Sequence, residues 1–130
     1  MNEAFKKYLN VGAPAYVEKL RLEPEKVVDA VHQSGGVAIL AHPGHYSADP
    51  ELLAKLVKLL DGLEALHSSH TSDQRMIFES MATEAGRLVS GGSDFHGPKT
   101  KPGVLIGCSG VSQEQFARLR AKAGKRNEIK

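Results

Sequence analysis

The chain contains no tryptophan, a single cysteine, and only four Phe and three Tyr among 130 residues. So few aromatic rings argue against a stacking platform for single-stranded nucleic acid. One cysteine, Cys108, excludes an internal disulfide. With no charged-apolar-small leader at the start, that cysteine usage points to a reducing, cytoplasmic setting. No apolar run approaches the ~20 residues that a membrane-spanning helix requires, so no membrane partner is expected. Charge of one sign is lacking too: 17 Lys and Arg against 15 Asp and Glu leave a net charge of +2. A surface that coats duplex nucleic acid is therefore not expected, and any phosphate chemistry must be local. Repeats and low-complexity segments are absent. What remains is a 41% hydrophobic chain, long enough for a single domain over residues 1–130 and too short for two of ordinary size.

Periodicity divides the chain into alternating units. Residues 3–10 read as a short helix, followed by a Gly12-Ala13-Pro14 break and an extended run at residues 15–17. Pro24 at a first helical position, Val27, Val28 and Val31, and Gly35 as a stop predict a helix over 24–34. The branched apolar run Val37 to Ala41 predicts a strand buried on both faces, as parallel strands are. Leucines at 52, 53, 56, 59 and 60, with Val57, predict a second helix, and Gly62 to Leu66 the strand after it. A third helix is expected from an N-cap at Ser72, with Ile77, Phe78, Met81, Ala82 and Ala85 facing the core and Gly86 ending it. Arg87 to Ser90 reads as a third strand, Val104 to Ile106 as a further one, and 113–123 as a last helix before a polar tail that frays from Lys122. Helix and strand in alternation with short connections predict an α/β fold with a parallel sheet or a β/α barrel.

Five of the six histidines lie in the loops that follow the three best strands. His42 and His45 follow the first, His67 and His70 the second, and Asp94 and His96 the third. In parallel α/β folds the loops leaving the carboxyl ends of strands converge on one face, where ligands bind. Imidazole and carboxylate are the usual donors for zinc, manganese and iron. An extended Asp94-Phe95-His96 would point both donors to one side and Phe95 to the other.

The motifs Gly35-Gly36-Val37-Ala38-Ile39-Leu40-Ala41-His42-Pro43-Gly44, Gly62-Leu63-Glu64-Ala65-Leu66-His67 and Gly91-Gly92-Ser93-Asp94-Phe95-His96-Gly97 occur in that order. Together they resemble the second half of polymerase-and-histidinol-phosphatase (PHP) phosphoesterases. Residues 4–9 and 12–17 are similar to the segment before that half in the branch acting on nucleotides and short oligoribonucleotides. The resemblance implies part of a distorted β/α barrel holding divalent metal ions, with zinc, manganese or iron as candidates, that hydrolyses phosphorylated small molecules or oligonucleotides by metal-activated water. It implies His42, Asp94 and His96 as metal ligands. His67, His70 and His45 would contact phosphate or assist protonation of the leaving group; His45 stands where many relatives carry arginine. The family's opening His-x-His strand and its early acidic ligands have no match here, so the resemblance implies a missing amino-terminal half as partner, little activity without it, and self-association as an alternative. A non-catalytic remnant serving in assembly and an amidohydrolase-like metal hydrolase are the competing readings.

The remaining candidates read as structural. His32 near a helix carboxyl end meets the helix dipole, and Glu64 sits between strand residues Leu63 and Ala65. Cys108 reads as a small buried side chain, and Lys99 and Lys101, which could attract a phosphate, read rather as parts of a solvated loop.

Overall fold

The computed structural model describes residues 2–127. The chain opens with α1 (Asn2–Ala4), which widens into a π-helical turn at Phe5–Leu9, where a plain helix was expected. Residues 15–17 belong to no strand, and Val17 is exposed. Next comes α2 (Pro24–Gln33), with proline at its first position as the sequence predicts and Gly35 at φ 78° just past its end. The following elements are β1 (Ile39–Leu40), α3 (Pro50–Leu59), β2 (Gly62–His67), α4 (Ser72–Glu84), β3 (Leu88–Gly92) and α5 (Gln113–Asn127).

Local chemistry explains where the helices start and stop. The Asp49 carboxylate accepts the Leu52 amide at 3.0 Å ahead of Pro50, satisfying a donor that the first helical turn leaves open. At α4 the cap is Thr71, not Ser72. Its hydroxyl accepts the Gln74 amide at 3.2 Å, while the Gln74 side chain accepts the Thr71 amide at 3.0 Å. This reciprocal pair needs the cap three residues before a glutamine, a spacing that Thr71 has and Ser72 lacks. Gly86, at φ 64°, ends the helix.

The three strands form a parallel sheet in the order β1-β2-β3. Ile39 pairs with Gly62, Gly62 in turn with Leu88, and a bulge interrupts the β2–β3 register between Glu64 and Leu66. Two glycines permit the close approach: a Cβ on Gly62 would lie 2.4 Å from the Leu88 carbonyl oxygen, and one on Gly91 2.5 Å from Leu66 Cβ. Leu40, Leu63 and Ala65 pack with Leu53 and Val57 of α3 and Phe78 and Ala82 of α4 to make the core. Along β2, Leu63, Ala65 and His67 are buried, whereas Glu64 and Leu66 are half-buried, the period-two alternation of a strand.

Several expectations are corrected. The first strand is confined to Ile39–Leu40, and burial on both faces does not hold: Ala38 and Leu40 are buried, Val37 and Ile39 half-buried, and Ala41 exposed. Ile77 is exposed and only Phe78 and Ala82 of α4 are fully buried, because the sheet covers a narrower stripe of the helix than its apolar content suggests. Val104 to Ile106 form no strand. Cys108 donates its amide to the Leu105 carbonyl in a turn, with Leu105 and Ile106 exposed. Cys108 itself is exposed rather than buried. The last helix runs four residues beyond its expected end, to Asn127; of the tail expected to fray, residues 128–130 lie outside the described residues.

Candidate metal centre

The three strands deliver His42, His67 and Asp94 to one place. His42 follows β1 in a left-handed conformation (φ 48°, ψ 53°) and starts a 3-10 turn, Pro43–Tyr46. Its amide donates to Glu64 Oε2 at 3.0 Å, so a half-buried carboxylate on β2 holds the unusual backbone. That oxygen also stands 3.6 Å from His42 Nε2. His67 ends β2 and is 1% exposed. Asp94 follows β3, also left-handed at φ 51°. A non-glycine residue rarely adopts this conformation, and such backbone clusters at functional sites. The bent backbone replaces the extended Asp94-Phe95-His96 arrangement expected from the sequence.

Among the described residues, His42, His67 and Asp94 form a group whose ligand atoms all lie within 4.8 Å of one another. Donors sharing one ion at about 2.0–2.2 Å stand no more than about 4.4 Å apart, so a small contraction would close the set on a cation. The His42 and His67 rings are 4.4 Å apart between centroids. His67 supplies the test of fit. Its Nε2 is buried and faces Asp94 Oδ2 at 3.4 Å, a contact too poorly aligned to make a good hydrogen bond. A buried imidazole nitrogen without a good partner is costly, and a cation between it and the carboxylate would satisfy both. Ligation through Nε2 requires the proton on Nδ1. There the Ser69 hydroxyl, at 2.7 Å, can accept it, although the Ser69 amide at 3.1 Å favours the opposite tautomer. Such a partner on the far nitrogen fixes a ligating ring.

The electrostatics suit this donor set. Burial lowers the His67 pKa from its ordinary 6.5, against the opposing pull of Glu64 and Asp94, and keeps the ring neutral. Asp94 is held below the usual carboxylate range, first by the Lys101 ammonium that contacts Oδ2.

The other predicted residues are placed differently. His96 is exposed and tied to Asp94, Nδ1 donating to the Asp94 carbonyl at 2.7 Å and lying 3.4 Å from Oδ1; it is outside the three-member group. His45 is exposed on the 3-10 turn, its ring 5.5 Å from that of His42. His70 is buried, donates from Nδ1 to the Ala65 carbonyl at 2.9 Å and packs on Phe78. His32 stays structural, but its partner is Asp61, at 2.8 Å, beyond the opposite end of β2. Sequence reasoning missed Glu64, Ser69 and Lys101 as neighbours of the site. A charged residue alternating with buried Leu63 and Ala65 was a usable signal for Glu64; nothing in the spacing marked the other two.

No family model matches the chain. It is 35% identical over 103 residues to the 5'-3' exoribonuclease Rnm of Escherichia coli, an alignment covering 75% of this chain and 35% of that protein. To the 3',5'-nucleoside bisphosphate phosphatase of Chromobacterium violaceum it is 36% identical over 105 residues, covering 75% and 36%. A solved structure from Bifidobacterium adolescentis, assigned as a metal-dependent phosphoesterase, superposes with a TM-score of 0.66 at 28% identity, covering 93% of this chain and 44% of that one. The chain is thus similar to part of proteins named as an exoribonuclease, a nucleoside bisphosphate phosphatase and a metal-dependent phosphoesterase. It spans about a third of the length of the curated relatives it matches.

Proposed function

We propose that this chain is part of a metal-dependent phosphoesterase that hydrolyses phosphate esters of nucleotides or short oligoribonucleotides, with His42, His67 and Asp94 holding a divalent ion. The observation that carries the reading is the buried His67 Nε2 turned toward Asp94 at the end of the parallel strands. Two imidazoles and a carboxylate suit zinc, manganese or iron. When bound, such an ion lowers the pKa of a water to the neutral range and offsets charge on a phosphoryl oxygen. The chain's own residues do the rest. Asp94 contributes the negative charge, the Ser69 hydroxyl can accept a hydrogen bond from Nδ1–H in the His67 tautomer that leaves Nε2 to bind an ion, and Glu64 anchors the His42 backbone. His96 is bound to Asp94 through Nδ1, which leaves Nε2 as the ring atom it can offer to an ion.

Of the three histidines expected to act on the leaving group, His45 is the best placed to donate a proton to an alkoxide. It is exposed beside the cluster, whereas His67 belongs to the donor set and His70 is buried against Phe78. An imidazole can serve as a general acid when it reaches the leaving oxygen. The sheet itself is read as part of a distorted β/α barrel, supported by its all-parallel order and its likeness to the solved phosphoesterase.

The test is calorimetric titration of Mn²⁺ or Zn²⁺ into the chain, followed by phosphate release from a 3',5'-nucleoside bisphosphate. Saturable binding that Asp94→Ala abolishes, with metal-dependent release, is expected. Metal binding indifferent to Asp94 and His67 would sink the reading.

A further inference from the structure

Lys101 is a charged side chain at the centre that the proposed chemistry does not use. Its ammonium contacts Asp94 Oδ2, the same oxygen that faces the buried His67 Nε2. An ion held by His67 and Asp94 and the ammonium of Lys101 therefore draw on one carboxylate oxygen. They repel each other, and the divalent ion carries the larger charge. The geometry points to Lys101 as a residue that competes with the metal for Asp94 and, once displaced, binds the anionic oxygens of a phosphate ester brought to the same site.

Three features support this exchange of partners. The lysine backbone is fixed: the amides of Thr100 and Lys101 both donate to the Gly97 carbonyl, at 3.1 and 3.0 Å, and the Lys101 carbonyl accepts from Val104 at 3.3 Å. The side chain is a third exposed, and its four-carbon stem can swing the ammonium through several ångströms without moving that turn. The other nearby cation, Arg75, is committed elsewhere, donating from Nη2 to the His67 carbonyl at 2.9 Å. A phosphate dianion at the metal would then find the Lys101 ammonium within reach and released from its first partner. The gain of a charge-assisted hydrogen bond to phosphate replaces the one lost to Asp94.

This inference rests on the metal reading above, and the experiment separates the two. Mn²⁺ is titrated into the wild-type chain, Lys101→Met and Lys101→Arg, each checked for unchanged circular dichroism; inorganic phosphate is then titrated into the Mn²⁺-saturated proteins. Loss of an ion pair on a partly exposed side chain should tighten Mn²⁺ binding by Lys101→Met about two- to fivefold. Loss of the charged donor should weaken phosphate binding at least about tenfold. Lys101→Arg should keep phosphate binding near the wild-type value. Wild-type Mn²⁺ binding with no tightening in Lys101→Met, or equal phosphate affinity in all three, overturns the role of Lys101 and leaves the metal site standing. Failure of the wild-type chain to bind Mn²⁺ at Asp94 overturns both.

Discussion

At the scale of single residues, the centre depends on side chains whose ordinary preferences are overridden by their neighbours. Asp94 sits at φ 51° and His42 at φ 48°, conformations that most residues avoid, and the carboxylate of Glu64 is spent on the His42 amide. Asp94→Ala removes the anionic donor from a loop outside the core. We expect loss of saturable Mn²⁺ binding with little change in the urea midpoint. Asp61→Ala should do the reverse. That carboxylate is buried, accepts the Ala38 amide at 2.8 Å and pairs with His32, so its loss leaves buried donors open and costs about 1–3 kcal/mol in urea denaturation, with Mn²⁺ affinity kept. The pH dependence follows from the direction of the His67 shift. Its folded pKa lies below the unfolded 6.5, so the unfolded chain binds more protons. The stability associated with the neutral ring is present above 6.5 and is lost as pH falls from there through the folded value. Urea midpoints of the metal-free chain should fall over that window in the wild type and much less in His67→Gln; equal slopes would count against the assignment.

At the scale of elements, close strand approach sets the position of the donors. Gly91 pairs with Leu66 just past the β2–β3 bulge, and a Cβ there would stand 2.6 Å from the Leu66 carbonyl oxygen as well as against its side chain. Gly91→Ala must push β3 off β2. It should destabilise by about 1–3 kcal/mol, as overpacking does, and should also weaken Mn²⁺ binding because Asp94 travels with β3. Thr71→Ala at the α4 cap should cost about 0.5–2 kcal/mol while leaving metal affinity intact, since the α4 bond to a donor residue, from Arg75 to the His67 carbonyl, does not involve the cap. Measuring denaturation and metal titration on both variants distinguishes a shifted donor from a merely weaker fold.

At the scale of the whole molecule, a metal bound by the proposed donors would couple the three strand ends into one unit. Ligand bound to the native state alone stabilises by an amount set by its saturation, about 2.7 kcal/mol at a hundredfold excess over Kd. Mn²⁺ should therefore raise the melting temperature of the wild type and not that of Asp94→Ala. Catalysis is a harder demand than binding. Three protein donors in an open group leave much of the coordination to water, and positioning of nucleophile and ester is worth about 7–11 kcal/mol of barrier. The 130-residue chain by itself should release phosphate from a nucleoside bisphosphate far more slowly than the Chromobacterium violaceum phosphatase assayed beside it. Comparable turnover would show that these residues suffice.

The alternating apolar runs, the proline and glycine helix boundaries and the three motifs were enough to determine the parallel α/β class, the order of the main elements and the neighbourhood of His42 and Asp94, because each is a local property of spacing. The family resemblance was legible for the same reason. Tertiary structure decided which donors face one another. His67 and His70 are close in sequence and look alike there, yet the end of β2 aims one into the centre while Phe78 and the Ala65 carbonyl hold the other inside. His96 lies against the Asp94 backbone and the Lys101 ammonium meets Asp94 Oδ2, around a left-handed backbone at Asp94 that is read only from coordinates. The truncated β1, the missing strand at 104–106 and the exposure of Cys108 likewise depend on what packs against each segment, which no local pattern records.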